Sequence, residues 1–111
     1  MIDIQQQEAM LITIGKILPK RIQVYAIGGT AMMFLGFKDA TLDIDLVFEN
    51  HKDRAVFKES IHSLGYLEMD AVKVYGVKRN TPEMFKLNDE RFDLFVVEVV
   101  DFIFSEKMKI I

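Results

Sequence analysis

The sequence predicts a single domain of the α/β or α+β class, with a mixed β-sheet flanked by helices. The chain has 111 residues, which suits one domain with one hydrophobic core. Half of the residues are hydrophobic and 28% are charged, a balance typical of a globular protein rather than a disordered one. Segments of helical periodicity also alternate with segments of period two, which indicates helices packed on a sheet.

Helices and strands are predicted from periodicity, capping residues and breakers. Helices are expected at Ile4–Leu18 and from Thr30, as the cap, to near Gly36. Two more are expected from Asp53, as the cap, to Gly65, and with a first turn at Ser105–Met108. Strands are expected at Arg21–Ile27, Thr41–Phe48, Tyr66–Met69, Ala71–Val77 and Arg91–Val97. No internal repeat or linker divides the chain, so residues 1–111 are expected to form one domain.

The composition limits which metal sites and which binding partners are expected. The chain has no cysteine and two histidines, so thiolate sites are excluded and the hard-oxygen metals Mg²⁺ and Mn²⁺ are favoured over zinc. Its formal net charge of −3 lacks the basic surplus of a sequence-independent DNA binder. Apolar runs are all interrupted by charges, and the first residues do not resemble a secretory signal. No membrane association is therefore expected, and the cytoplasm is the default location.

Two carboxylates in the segment TLDIDLVF carry the clearest chemical signal. Side chains alternate along a strand, so Asp43 and Asp45 are expected on one face, with Leu42, Ile44 and Leu46 on the other. Two ionised carboxylates this close repel each other, and a divalent cation between them removes that penalty. Two Mg²⁺ ions at such a site would polarise a phosphoryl group and activate an attacking hydroxyl.

A Gly28-Gly29 turn precedes these acids and opens a short helix. Glycine allows a backbone to approach a ligand closely, and a helix N-terminus favours phosphate. Thr30 is expected to add a hydroxyl donor there. The alternative is a tight turn that binds nothing.

A third acid, Asp93, lies in the otherwise apolar segment RFDLF. A carboxylate in such a strand needs a partner, and a metal ion would be one. An ion pair with Arg91 or a lysine is the alternative.

These residues resemble the nucleotidyltransferase superfamily that includes DNA polymerase β-like and minimal nucleotidyltransferases. The matching positions are Ile27-Gly28-Gly29, Asp43-Ile44-Asp45 and, by spacing, Asp93. The string GGTAMMFLGFKDATLDIDL is similar to the AbiEii-type branch, known as toxins of abortive-infection systems, in which a basic residue and a threonine match Lys38 and Thr41. The specific part covers about a fifth of the chain.

The resemblance implies a nucleotidyltransferase-like fold and transfer of a nucleoside monophosphate from an NTP, with Mg²⁺ or Mn²⁺ as cofactor. Asp43, Asp45 and Asp93 would be the catalytic and metal-binding residues. Gly28, Gly29, Thr30 and Lys38 would bind the nucleotide. The acceptor is left open among RNA, protein and a small molecule.

Two alternatives remain at this point. Members of the AbiEii-type branch carry a helical C-terminal region that the 111 residues do not include, so the chain is a fragment, a partner-dependent protein or a degenerate member. The domain would then be a non-catalytic module that binds a nucleotide, or that pairs as a homodimer or with a partner subunit through the apolar segment VVDFIF. Otherwise the motif is coincidental, and Asp43, Asp45 and Asp93 lie far apart.

Overall fold

A computed structural model describes residues 1–37, 39–70, 82–97 and 108–109. Three helices are present in this part of the chain: α1 (Ile4–Ile17), α2 (Gly28–Phe34) and α3 (His51–Ser63). The strands are β1 (Ile2–Asp3), β2 (Val24–Ala26), β3 (Ala40–Thr41), β4 (Ile44–Phe48), β5 (Leu67–Met69), β6 (Glu83–Leu87), β7 (Glu90–Val96) and β8 (Met108–Lys109).

Six strands form one mixed sheet in the order β5-β6-β7-β4-β2-β8. β4 and β7 pair in parallel, whereas the other neighbours in this sheet pair antiparallel. β1 and β3 form a separate two-stranded ribbon, with Ile2 opposite Thr41. The predicted class, a mixed sheet flanked by helices, is confirmed.

The core lies between the sheet and helices α1 and α3. Ile44, Leu46 and Phe48 of β4 are fully buried, so this central strand is covered by protein on the face they share. Phe57 of α3 packs between Phe48 and Phe92, at ring-centroid distances of 5.2 and 5.8 Å. Burial of these aromatic side chains anchors α3 across the parallel strand pair and fixes how β4 and β7 lie together.

The first helix was predicted almost to the residue. Asp3 caps α1 by accepting a hydrogen bond from the Gln6 amide, and the Gln6 side chain accepts from the Asp3 amide. This reciprocal capping box fixes the first turn. Leu11 and Ile14 then face the core, and the helix ends at Ile17, just before Leu18 and Pro19.

Other predicted boundaries were wrong. Thr30 is not a cap but lies inside α2, whose N-cap is Ile27, and Asn50 rather than Asp53 caps α3. The predicted strand Thr41–Phe48 is two strands, β3 and β4, because residues 42 and 43 leave the sheet between them.

The end of the chain also differs from prediction. Met108 belongs to a strand that pairs with β2, not to a helix, whereas residues 105–107 lie outside the described residues. Strand β6 was not predicted, because it has no clear alternation of polar and apolar residues. The predicted strand Ala71–Val77 and the apolar segment at residues 99–104 also lie outside the described residues.

A helix that crosses a bilayer must be both long and apolar. Within the described ranges, no helix is both long enough and apolar enough to cross a membrane.

Candidate metal centre

Two of the three predicted acids are direct neighbours across the parallel strand pair. In the register of β4 and β7, Asp45 lies opposite Asp93. Register partners on adjacent strands present their side chains to the same face of a sheet. The side chains of Ile44 and Leu46 occupy the opposite face of β4, as predicted, and are buried there. The strand pairing therefore brings both carboxylates to one face.

Asp43 is the residue just before β4, and its carboxylate lies beside those of Asp45 and Asp93. The hydroxyl of Thr41 donates a hydrogen bond to the backbone oxygen of Asp43 at 3.0 Å and shapes this approach to the strand. Leu42 was expected on the buried face with Ile44, but its side chain is 69% exposed. The reason is that residue 42 lies in the bend between β3 and β4 and does not share their pleat.

The three carboxylates converge. One oxygen atom from each of Asp43, Asp45 and Asp93 lies within 4.8 Å of the others, a spacing that one metal ion could bridge. Separation of these residues would have established a coincidental motif, and the structure instead brings them together. Asp93 is fully buried, whereas Asp43 and Asp45 are partly accessible. The cluster thus has a closed side and an open side.

Arg91 supplies positive charge to this cluster. Its Nη2 atom donates to Asp43 Oδ2 at 2.7 Å and to Asp93 Oδ2 at 3.2 Å. Its Nε atom lies 3.0 Å from Asp93 Oδ1. The alternative considered for Asp93, an ion pair with Arg91, is therefore present, and it coexists with the acid cluster rather than replacing it.

The acids differ in their proton affinity. Burial, followed by the charges of Asp43 and Asp93, raises the pKa of Asp45 to about 8. Burial also opposes ionisation of Asp43, but its hydrogen bonds with Arg91 and the two other acids outweigh that effect and lower its pKa. Without a metal ion, the cluster therefore keeps a proton on Asp45 near neutral pH.

The donor set fits Mg²⁺ or Mn²⁺. Both ions prefer oxygen ligands, and three carboxylates provide them. In the described part of the chain, the buried Oδ1 atom of Asp45 has no hydrogen-bond partner. A buried oxygen without a partner is costly, and a divalent cation would satisfy it while favouring loss of the Asp45 proton.

Gly28 brings the α2 backbone against the cluster. Its φ of 58° is in the left-handed region, and a Cβ atom built there would lie 3.2 Å from Asp45 Oδ2. Glycine is therefore favoured at this position by backbone conformation and by space. Gly28 is exposed and Gly29 is half-buried, so this turn borders the open side of the cluster.

Thr30 has a different place from the one expected. Its side chain is fully buried, and its hydroxyl accepts a hydrogen bond from the Asp45 amide at 2.8 Å. The amide of Ile27 donates to the backbone oxygen of Asp45 at 3.1 Å. Together these bonds hold Asp45 between β2 and α2. Thr30 therefore helps to position Asp45, and a phosphate contact of its hydroxyl stays a prediction from the sequence. Lys38 lies outside the described residues.

The sequence indicated Arg91 only as a possible partner of Asp93, not as a residue that also binds Asp43. The available signal was its spacing: residues 91 and 93 are two apart on one strand, so their side chains share a face. The signal for Thr30 was weaker, because its partner, Asp45, is 15 residues away and only the fold brings them together.

Comparisons with known proteins support the fold. No family model and no curated protein sequence matches the chain. Among solved structures, the chain is similar to ANT(2")-Ia, an aminoglycoside nucleotidyltransferase, in a crystal structure with adenylyl-2"-tobramycin. The TM-score is 0.61 at 20% sequence identity, and the match covers 86% of this chain and 52% of that one. The chain thus spans about half the length of that protein and has a nucleotidyltransferase-like fold.

Proposed function

We propose that the chain is a divalent-metal-dependent nucleotidyltransferase that transfers a nucleoside monophosphate from an NTP to a hydroxyl acceptor. The observation that carries the proposal is the convergence of Asp43, Asp45 and Asp93 within 4.8 Å. The fold alone would not be enough, since one fold hosts many functions. Acids grouped at the point where a glycine turn reaches the sheet suit phosphoryl chemistry, which depends mainly on positioning and charge neutralisation.

The three carboxylates would hold Mg²⁺ or Mn²⁺. When bound, such an ion supplies positive charge that stabilises the oxygens of the reacting phosphate. Asp43 and Asp45, at the accessible side of the cluster, would hold both metal ions, and Asp93 would help to hold the catalytic one. Asp93 is buried beside them on β7, so its carboxylate is shielded from water.

The transfer conserves atoms and charge in one displacement. The acceptor oxygen forms a bond to the α-phosphorus of the NTP, and the bond from that phosphorus to the bridging oxygen breaks. Pyrophosphate leaves with the electron pair of the broken bond. We assign the proton of the acceptor hydroxyl to the Asp93 carboxylate, in keeping with general base catalysis by a positioned acid group.

The triphosphate is placed along the Gly28-Gly29 turn. Support comes from the exposure of Gly28 and from its closeness to Asp45, whose Oδ2 atom would lie 3.2 Å from a Cβ atom built on Gly28. Thr30 contributes by fixing Asp45 through the hydrogen bond to its amide. A contact from Lys38 to the triphosphate stays a prediction from the sequence.

The acceptor and the NTP base remain the open part of the proposal. The solved neighbour carries adenylyl-2"-tobramycin, which joins an adenylyl group to an aminoglycoside. An aminoglycoside therefore belongs among the acceptors to be tested, beside RNA and protein. Membership of the AbiEii-type branch and a role in a toxin–antitoxin system stay predictions from the motif.

The test is transfer of label from α-³²P-labelled ATP, CTP, GTP and UTP to a tRNA pool, a protein extract and tobramycin in separate reactions. Wild type should label one acceptor class in a Mg²⁺-dependent manner, and Asp43→Asn/Asp45→Asn should not. Asp53→Asn is the matched control, because Asp53 lies on α3 and pairs with Lys20 outside the cluster. Label transfer that survives in the double variant would contradict the assignment.

A second candidate function is a partner-dependent module on the same fold. Four large apolar side chains are exposed close together in sequence, one on α2 and three between α2 and β4: Met32, Leu35, Phe37 and Leu42. Exposed apolar surface of this kind often marks a protein interface. Sedimentation velocity distinguishes the two candidates, since a strictly monomeric chain with full transfer activity would argue against dependence on a partner.

A further inference from the structure

Arg91 carries an inference that goes beyond metal binding by the three acids. Arg91 and Asp93 are two residues apart on β7, and the guanidinium folds back over the acid cluster. It contacts Asp93, its own strand neighbour, and Asp43, which approaches from β4. The arginine therefore holds the carboxylate of Asp93 on β7 together with that of Asp43, which lies just before β4.

The contact of Arg91 with Asp93 is an incomplete arginine–carboxylate fork. In a fork, two nitrogens donate in parallel to the two oxygens of one carboxylate. Here both hydrogen bonds come from a single nitrogen, Nη2, which is shared between Asp43 and Asp93. Within the described ranges, Nε donates no hydrogen bond, although it lies 3.0 Å from Asp93 Oδ1. The guanidinium thus donates hydrogen bonds to the acids through one of its three nitrogens.

The Arg91 side chain is also accessible enough to move away from the acids. Its side chain is 27% exposed, whereas Asp93 beneath it is fully buried. A guanidinium remains charged throughout the physiological pH range and binds phosphate well through its planar set of donors. A divalent ion at the cluster would repel it, because the two cations would compete for Asp43 and Asp93.

We propose that Arg91 is an exchangeable counter-ion: it neutralises Asp43 and Asp93 in the metal-free protein, yields them to the divalent ion, and then binds the triphosphate. This inference rests on the proposed function and adds a residue that couples metal binding to nucleotide binding. It makes opposite predictions for the two ligands. Removal of the guanidinium strengthens metal binding and weakens triphosphate binding. A residue that only stabilised the fold would not separate the two affinities in this way.

The test measures both affinities in the same protein samples. Mn²⁺ binding is followed by electron paramagnetic resonance of the free ion, and inorganic tripolyphosphate binding by calorimetry at saturating Mg²⁺. Arg91→Met should bind Mn²⁺ about tenfold more tightly, since a nearby positive charge is lost. It should bind tripolyphosphate about tenfold more weakly, since a charge-assisted hydrogen bond is lost. Arg91→Gln should show the same two changes and serves if Arg91→Met does not fold.

Arg54→Met is the matched control. Arg54 is another partly buried arginine, and its Nε pairs with Glu83 at 2.9 Å rather than with the acid cluster. The Arg54→Met variant should bind Mn²⁺ and tripolyphosphate with the affinities of wild type. If wild type binds neither probe, the proposed function fails and this inference fails with it. If wild type binds both probes, but the variants at position 91 leave either affinity unchanged, Arg91 is not an exchangeable counter-ion and the proposed function stands.

Discussion

Asp45 on β4 and Asp93 on β7 are register partners in a parallel strand pair, and their side chains meet on one face of the sheet. Burial of two neighbouring carboxylates opposes folding unless a proton or a cation compensates for it. Arg91 compensates Asp93 and Asp43, whereas Asp45 keeps a buried oxygen without a hydrogen-bond partner in the described part of the chain. The acid cluster therefore lowers the free energy of unfolding of the metal-free protein.

Asp45→Asn should stabilise the metal-free protein while removing its response to metal. The amide has nearly the shape of the carboxyl group but is neutral without taking up a proton, whereas burial beside Asp43 and Asp93 makes Asp45 take one up on folding. We expect the free energy of unfolding in EDTA to rise by about 1–2 kcal/mol. Added Mg²⁺ should raise the melting temperature of wild type but not of this variant. Asp53→Asn, which alters an acid outside the cluster, should keep the wild-type response. A variant less stable than wild type in EDTA would contradict this view of the site.

The stability of the metal-free protein should fall as the pH rises toward 8. Burial and the neighbouring acids raise the pKa of Asp45 from 3.8 to about 8, so the folded state holds a proton that the unfolded state has released. This contribution is complete below pH 3.8 and is lost as the pH approaches the folded-state value. Asp43 has a lowered pKa, so its contribution changes only in acid, below its unfolded value of 3.8.

Urea unfolding in EDTA at pH 5, 6, 7 and 8 isolates the contribution of Asp45. Wild type should lose stability steadily across this range, and Asp45→Asn should lose much less. Equal pH dependence in the two proteins would show that Asp45 does not keep its proton in the folded state.

Gly28→Ala should disturb both the fold and the metal centre. Alanine is disfavoured at a φ of 58°, and its Cβ atom would lie 3.2 Å from Asp45 Oδ2. We expect a loss of about 1–2 kcal/mol in stability and weaker Mn²⁺ binding, because Asp45 must move. Gly36→Ala is an internal control, since Gly36 also has a positive φ, 81°, but nothing lies within 4 Å of the added atom. It should lose stability and keep wild-type Mn²⁺ affinity; equal losses of affinity in both variants would refute the steric explanation.

Thr30→Val should loosen the backbone at Asp45. Valine has the shape of threonine but cannot accept the hydrogen bond from the Asp45 amide, which measures 2.8 Å in the wild-type protein. Loss of this acceptor should cost about 1–3 kcal/mol, since a partly buried N–H group is left unpaired. Hydrogen exchange at the Asp45 amide should accelerate. Thr30→Ser keeps the hydroxyl and should restore the protection; if Thr30→Val is as protected as wild type, Thr30 does not hold the strand.

The sequence was sufficient to predict α1 closely, several other elements approximately, and the three acids that lie together. Alternation around Asp43 and Asp45, and the cost of an acid in the apolar strand of Asp93, are local signals that follow from strand geometry and burial. The resemblance joined these signals to the Gly28-Gly29 turn. The nucleotidyltransferase-like fold, confirmed by the likeness to a solved structure, followed from the same few positions.

The features that sequence reasoning missed depend on long-range contacts. Thr30 appeared to be a cap because threonine favours helix N-termini, but the fold uses its hydroxyl to bind the amide of residue 45. Arg91 reaches Asp43 across 48 residues of sequence, a contact that requires β4 and β7 to pair first. Strand β6 pairs with both β5 and β7, and tertiary pairing rather than local pattern determines its conformation.

The central claim is that the acid cluster and the glycine turn form one metal–triphosphate site. Calorimetric titration tests it most directly, with ATP, CTP, GTP and UTP added to wild type and to Asp43→Asn/Asp45→Asn, each with Mg²⁺ and with EDTA. We predict that wild type binds at least one NTP only with Mg²⁺, and that the folded double variant binds none. Mg²⁺-dependent binding of equal affinity in the double variant, or no binding by folded wild type, would contradict the claim.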